Sequence, residues 1–134
     1  DALTDDPVLL KALEDELASI SVYHDFWPFA EWCRAHGIVL AIGSNLALPY
    51  GEALCERIGH AVSHLHFSYE VGLVKPDPRF VVTACAALGA KPGQTLMIGY
   101  SIASDVVGAR SAGLHAAQIV RPAGTLLDFL EVLT

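Results

Sequence analysis

The sequence has 134 residues, 15 acidic against 8 basic, for a formal charge of −7, and 53% of its residues are hydrophobic. A chain of this length is expected to form one domain with its own core, and its acidic balance excludes nucleic-acid backbone binding, which needs a basic face to displace counterions. No apolar run approaches about 18 residues without a Gly, Ser, Asp, Lys or Pro, which excludes a membrane-spanning helix and assigns the hydrophobicity to a sheet covered on both faces or to a surface given to a partner.

Cys33, Cys55 and Cys85 are odd in number and lack CxxC spacing, so they read as small hydrophobes in a reducing cytoplasm, not as a disulfide framework or a thiolate metal cage. The chain opens at Asp1 with neither Met nor a basic-then-apolar signal region, and reads as a trimmed end.

Thr4, Asp5 and Asp6 before Pro7 are helix-starting residues, and PVLLKALEDELASI repeats apolar residues at helical spacing to about Ser21. FWPFAEWCRAHG, Phe26 to Gly37, carries a second apolar stripe, tolerates Pro28 in its first turn and ends on a glycine suited to a left-handed cap. IVLAI, Ile38 to Ile42, is a continuous apolar run bounded by Gly37 and the polar Gly43-Ser44-Asn45, which predicts a buried parallel strand. A short helix is expected over Gly51 to Gly59, part of a strand over His66 to Tyr69, and a helix over Asp77 to Leu88. Thr95 to Ile98 predicts a strand, Ile102 to Ala112 a helix, His115 to Val120 a last strand and Thr125 to Leu133 a last helix. This alternation predicts an α/β fold, Rossmann-like, with three α/β/α layers around a mostly parallel sheet.

Ligands of such sheets bind beyond the carboxyl ends of the strands. Three loops fall there: Gly43-Ser44-Asn45, Val74-Lys75-Pro76-Asp77-Pro78, and Gly99-Tyr100-Ser101 leading to Asp105. A hydroxyl, an ammonium and a carboxylate at one sheet edge suit an anion. Ser44 and backbone N–H groups donate to phosphoryl oxygens, and Lys75 supplies charge to a transferring phosphoryl group.

The runs IVLAIGSN, VGLVKPDPRF and LMIGYSIASDVVGARSAGL resemble motifs two, three and four of the haloacid dehalogenase superfamily, over roughly residues 20 to 120. The likeness is nearest to phosphatase-like members whose helical cap lies between motifs one and two. It implies a helical cap remnant and return helix over residues 1–36 and the α/β core over 37–134. It also implies that Ser44 and Lys75 take part in catalysis and bind the phosphoryl oxygens, that Asn45 shapes the substrate-binding loop, and that Asp105 belongs to a Mg²⁺ shell. The implied partner is a small phosphorylated molecule or inorganic phosphate.

Two features depart from the pattern. No segment matches DxDxT/V, the first motif, whose first aspartate attacks the substrate in such enzymes; Asp5-Asp6 and Glu14-Asp15-Glu16 lie in helical contexts without a preceding apolar strand. That motif ends the central strand, and losing it would cost roughly 1 to 3 kcal/mol per buried orphaned ladder group. Either residues upstream of Asp1 supply the strand, or the sheet is rebuilt without it. In motif four, Tyr100 follows Gly99 where the pattern has aspartate, and a phenol is a poor Mg²⁺ ligand at neutral pH.

Two functions follow as expectations. The first is a phosphoric-monoester hydrolase domain, inactive or impaired in this form; the second is a non-catalytic interaction protein that retains the fold. A 2-haloacid dehalogenase, which uses no metal, ranks below both. A homodimer that covers an open sheet edge is a further expectation. His60, His64 and His66 in HAVSHLH lack an acidic or thiolate companion for a strong metal signature, and Phe26, Trp27, Phe29 and Trp32 read as core or cap-interface residues.

Overall fold

A computed structural model describes residues 23–46 and 48–133. The helix expected over PVLLKALEDELASI lies outside them.

Helix α1, Phe26–Ala35, buries Phe26, Phe29, Ala30 and Cys33, the i, i+3, i+4, i+7 stripe that gives a helix one apolar face. His36 follows it, and Gly37 turns the chain at φ +67°, a conformation glycine adopts without a Cβ clash. Strand β1 is Ala41–Ser44, followed by α2, Leu48–Ile58. Next come β2, His64–Phe67, and a single helical turn α3, Ser68–Val71. Helix α4, Pro78–Leu88, is capped by Asp77, whose side chain accepts from the Arg79 N–H at 2.9 Å. Strand β3, Leu96–Gly99, leads into one π-helical turn, Ile102–Val106, that runs on as α5, Val107–Ser111. Strand β4, His115–Gln118, precedes a 3₁₀ turn, Leu126–Phe129, and α6, Leu130–Leu133, entered through a Thr125–Asp128 capping box.

The order of elements is the one expected, but the strands shift. Ile38 to Leu40 stay outside β1 because the parallel ladder begins at Ala41 opposite His64 and ends at Ser44 opposite Phe67. For the same reason β2 covers His64–Phe67, and Tyr69 falls in α3.

The parallel sheet is divided. Among the described residues, β1 pairs only with β2, and β3 only with β4. Helices cover both faces. Phe80, Val81 and Cys85 of α4 form one apolar cluster with Ala109 and Leu114, against Met97 and Ala116 of the second sheet. Phe26 and Ala30 of α1 form another with Ile58 of α2, against Ile42 of β1. Neighbouring β1 residues show the alternation: Ile42 joins the α1–α2 cluster, whereas Gly43 faces the Phe80 ring, 3.1 Å from where its Cβ would stand.

A half-buried ion pair ties the start of α1 to the C-terminal segment. One carboxylate oxygen of Asp25 accepts from the Arg121 guanidinium at 2.9 Å and from the Leu126 N–H at 2.8 Å.

Candidate functional site

Between the facing edges of β1 and β3 lies a cleft of about 690 Å³, with Ser44, Lys75, Tyr100 and Asp105 among its lining residues. These residues follow, or lie beside, the carboxyl ends of β1 and β3, where an open parallel sheet places its ligands.

Lys75 is held at both ends. Its backbone N–H donates to the Asn45 side-chain oxygen at 3.0 Å, and the Asn45 amide nitrogen donates to the Lys75 carbonyl at 3.1 Å. Its ammonium reaches Asp105 Oδ1 at 2.6 Å, with side-chain exposures of 13% for Lys75 and 3% for Asp105. The other Asp105 oxygen accepts from the Ser101 N–H at 3.1 Å. Ser101 also caps the π-helical turn, its hydroxyl accepting from the Ser104 N–H at 3.1 Å. Ser44 Oγ accepts from the Leu46 N–H at 3.2 Å, which bends the chain away from the strand and leaves the hydroxyl proton free to donate.

Two glycines permit these approaches. A Cβ on Gly99 would collide with the Asp105 side chain, and one on Gly108 with the Pro76 carbonyl, so α5 packs directly on the Lys75–Pro76 loop. Tyr100 is 79% exposed, and its carbonyl accepts from Gln118 Nε2 at 3.0 Å.

All four sequence candidates therefore meet: Ser44, Asn45, Lys75 and Asp105. Sequence reasoning missed Ser101 as a partner of Asp105; the small polar residue four positions before an acid at a helix start was the available signal. It also missed that Asp105 pairs with Lys75 across 30 residues of chain.

As a Mg²⁺ site this donor set fits poorly. Its one carboxylate, Asp105, has both oxygens engaged, and Mg²⁺ asks for hard oxygen ligands in near-octahedral geometry. Among the described residues, no group of three or more His, Cys, Asp or Glu side chains is placed to hold a metal ion. Nor is any helix among them long and apolar enough to cross a membrane.

A split parallel sheet with a lysine, a hydroxyl and a buried acid at its carboxyl end defines an α/β domain of the open parallel kind. The family model of haloacid dehalogenase-like hydrolases matches residues 1–113, and the chain belongs to that family.

Glyceraldehyde 3-phosphate phosphatase of Methanopyrus kandleri is 32% identical over 111 residues, covering 81% of this chain and 47% of that protein. Phosphoserine phosphatase of Thermus thermophilus is 32% identical over 115 residues, covering 84% of this chain and 46% of that protein. The crystal structure of a haloacid dehalogenase-type phosphatase from Thermococcus onnurineus superposes with a TM-score of 0.82 at 27% identity, covering 92% of this chain and 63% of that one. The chain thus spans less than half the length of these two enzymes. Phosphatases of this family generally use Mg²⁺.

Proposed function

We propose that this chain is the phosphate-receiving part of a phosphoric-monoester hydrolase acting on a small phosphorylated substrate, and that the 134 residues alone do not turn it over. The observation that carries this reading is the cleft between β1 and β3, with Ser44, Lys75 and Asp105 at its carboxyl end.

Among the described residues each flanking strand has a ladder partner on one side only, so the cleft lies between two strand edges. A further parallel strand ending in the nucleophilic aspartate is the occupant this reading requires. Seated there, its carboxylate would emerge beside the Lys75 ammonium. Attack on phosphorus would form an aspartyl phosphate and break the P–O bond to the departing alcohol; water would then cleave the intermediate and release phosphate. Ser44 and the loop N–H groups would hold the non-bridging oxygens, and Lys75 would balance their charge. Asn45 would position Lys75 and the substrate loop.

The cytoplasm is the compartment we assign, consistent with the free thiols at Cys33, Cys55 and Cys85. A second reading, a non-catalytic interaction domain, is favoured by Tyr100, which puts an exposed phenol where the family's motif has a carboxylate. In that case the open edges of β1 and β3 would serve self-association, read as a homodimer in solution.

The test uses the 134-residue chain with inorganic phosphate as probe and an aryl phosphate with Mg²⁺ as substrate. Phosphate is expected to shift the backbone resonances of Ser44 and Lys75, Lys75→Gln to abolish those shifts, and hydrolysis to stay at background. Turnover removed by Lys75→Gln would overturn the inactive reading. Resonances untouched by millimolar phosphate would overturn the phosphate site.

A further inference from the structure

Among the described residues that line the cleft, Tyr100 is the only exposed aromatic, and the handling of phosphate by Ser44 and Lys75 gives its ring no part. The backbone beneath it is fixed on both sides. The Gly99 carbonyl, in the peptide group before Tyr100, accepts from the Ile119 N–H at 2.8 Å. In the peptide group after it, the Tyr100 carbonyl accepts from Gln118 Nε2 at 3.0 Å, and the Ser101 N–H donates to Asp105 at 3.1 Å.

Two fixed peptide planes set the direction of the bond from Cα to Cβ, so the ring stands on a fixed root with only its two side-chain torsions free. Such a ring offers a large contact area at a low cost in conformational entropy. Neither the ring nor its hydroxyl has a hydrogen-bond or ring partner among the described residues.

A single exposed apolar side chain is ordinary on a protein surface. Tyr100 is not single. Val74, immediately before Lys75, and Ile102, two residues beyond Tyr100, are exposed as well, so the loops that supply Lys75 and Asp105 also carry large apolar side chains.

The charges of the same loops are paired with one another. Lys75 meets Asp105 at 2.6 Å, Arg79 meets Asp77 at 2.7 Å, and Gly43-Ser44-Asn45 carries no charge. A carboxylate or ammonium on the organic part of a phosphate ester would find no free counter-charge in these loops to replace its hydration. An aromatic ring would find Tyr100 and would release water from both surfaces.

We propose that Tyr100 is a specificity-determining residue, a platform at the mouth of the cleft on which the organic part of the substrate lies, and that it selects phosphate monoesters of aromatic alcohols. This rests on the phosphate-receiving reading of Ser44 and Lys75 and adds to it the group that receives the rest of the ester. A stacked or edge-to-face ring pair is worth roughly two- to tenfold in affinity beyond the area it buries.

The test is a nuclear magnetic resonance titration of the 134-residue chain with methyl phosphate and with phenyl phosphate, which share the phosphate head and differ in the organic group, followed at the Ser44 and Lys75 amides. Phenyl phosphate should bind more tightly by roughly two- to tenfold or more, with Overhauser contacts between its ring protons and those of Tyr100. Tyr100→Ala should bring the ratio of the two affinities close to one. Tyr100→Phe, which keeps the ring and drops the hydroxyl, should preserve it.

Equal affinities in the unaltered chain, or a preference that survives Tyr100→Ala, would overturn the platform. So would Overhauser contacts to Ile42 and Met97 inside the cleft in place of Tyr100, or a preference lost in Tyr100→Phe, which would assign the effect to the hydroxyl. The two levels of the argument fail separately. If neither ester moves the Ser44 and Lys75 amides, the phosphate site falls and the platform with it; if both move them equally, the platform alone falls.

Discussion

The two halves of the sheet hold their share of the site by different means. On the β1–β2 side the loop after the strand is fixed by side-chain hydrogen bonds: Asn45 grips the Lys75 backbone twice, and Ser44 accepts from the Leu46 N–H. On the β3–β4 side the means is close approach. Gly99 lets the Asp105 side chain lie against the strand, and Gly108 lets α5 lie against Pro76. Lys75 belongs to neither half, since its backbone is held by Asn45 of the first and its ammonium by Asp105 of the second. Among the described residues no ladder joins β1 to β3; this loop bridges the halves, and Phe80 of α4 packs on both Gly43 and the cluster over the second sheet.

That contrast is broken most severely at Asp105. In Asp105→Asn the neutral amide leaves the Lys75 ammonium, whose side chain is 13% exposed, without its counter-charge. Removing one member of a buried pair costs about 3 to 5 kcal/mol. Urea unfolding of the variant should show a loss in that range, and a loss under about 1 kcal/mol would mean that the ammonium reaches water.

A smaller effect is expected from Gly108→Ala, whose Cβ would press on the Pro76 carbonyl. A backbone oxygen cannot swing aside as a side chain does, so α5 or the Lys75–Pro76 loop must shift. Overpacking of this kind costs about 1 to 3 kcal/mol. Gly93→Ala, where a Cβ meets nothing within 4 Å, is the control and should unfold at the wild-type midpoint or above it.

How much of this was legible in the sequence follows from the same contrast. The alternation of apolar runs with glycine and polar loops located every strand within three residues at either end, because burial in a two-faced sheet leaves a continuous hydrophobic signature. The β1 start was missed, since Ile38 to Leu40 are as apolar as a strand, but among the described residues the paired register begins only at Ala41. Periodicity has no access to that. The division of the sheet into two pairs was foreshadowed only as one of two alternatives, by the absence of a DxDxT/V segment. Ser44, Lys75 and Asp105 were legible as residues at strand ends. Their pairing was not, because a bond spanning 30 residues depends on how loops meet in space.

The gentlest test of the comparison is Asn45→Ala. Asn45 is exposed, so its loss opens no cavity, and only its two hydrogen bonds to the Lys75 backbone are removed. Their loss should cost about 1 to 2 kcal/mol if both are formed in solution, at the usual net value of roughly 1 kcal/mol per bond. Stability alone would not show what these two hydrogen bonds do. If Asn45 registers the two halves, the variant should also loosen Lys75 from Asp105, and the Lys75 ammonium protons should exchange with water faster than in the wild type. Unchanged exchange with reduced stability would mean that Asp105 holds Lys75 unaided, making the β3–β4 side sufficient to place the cation.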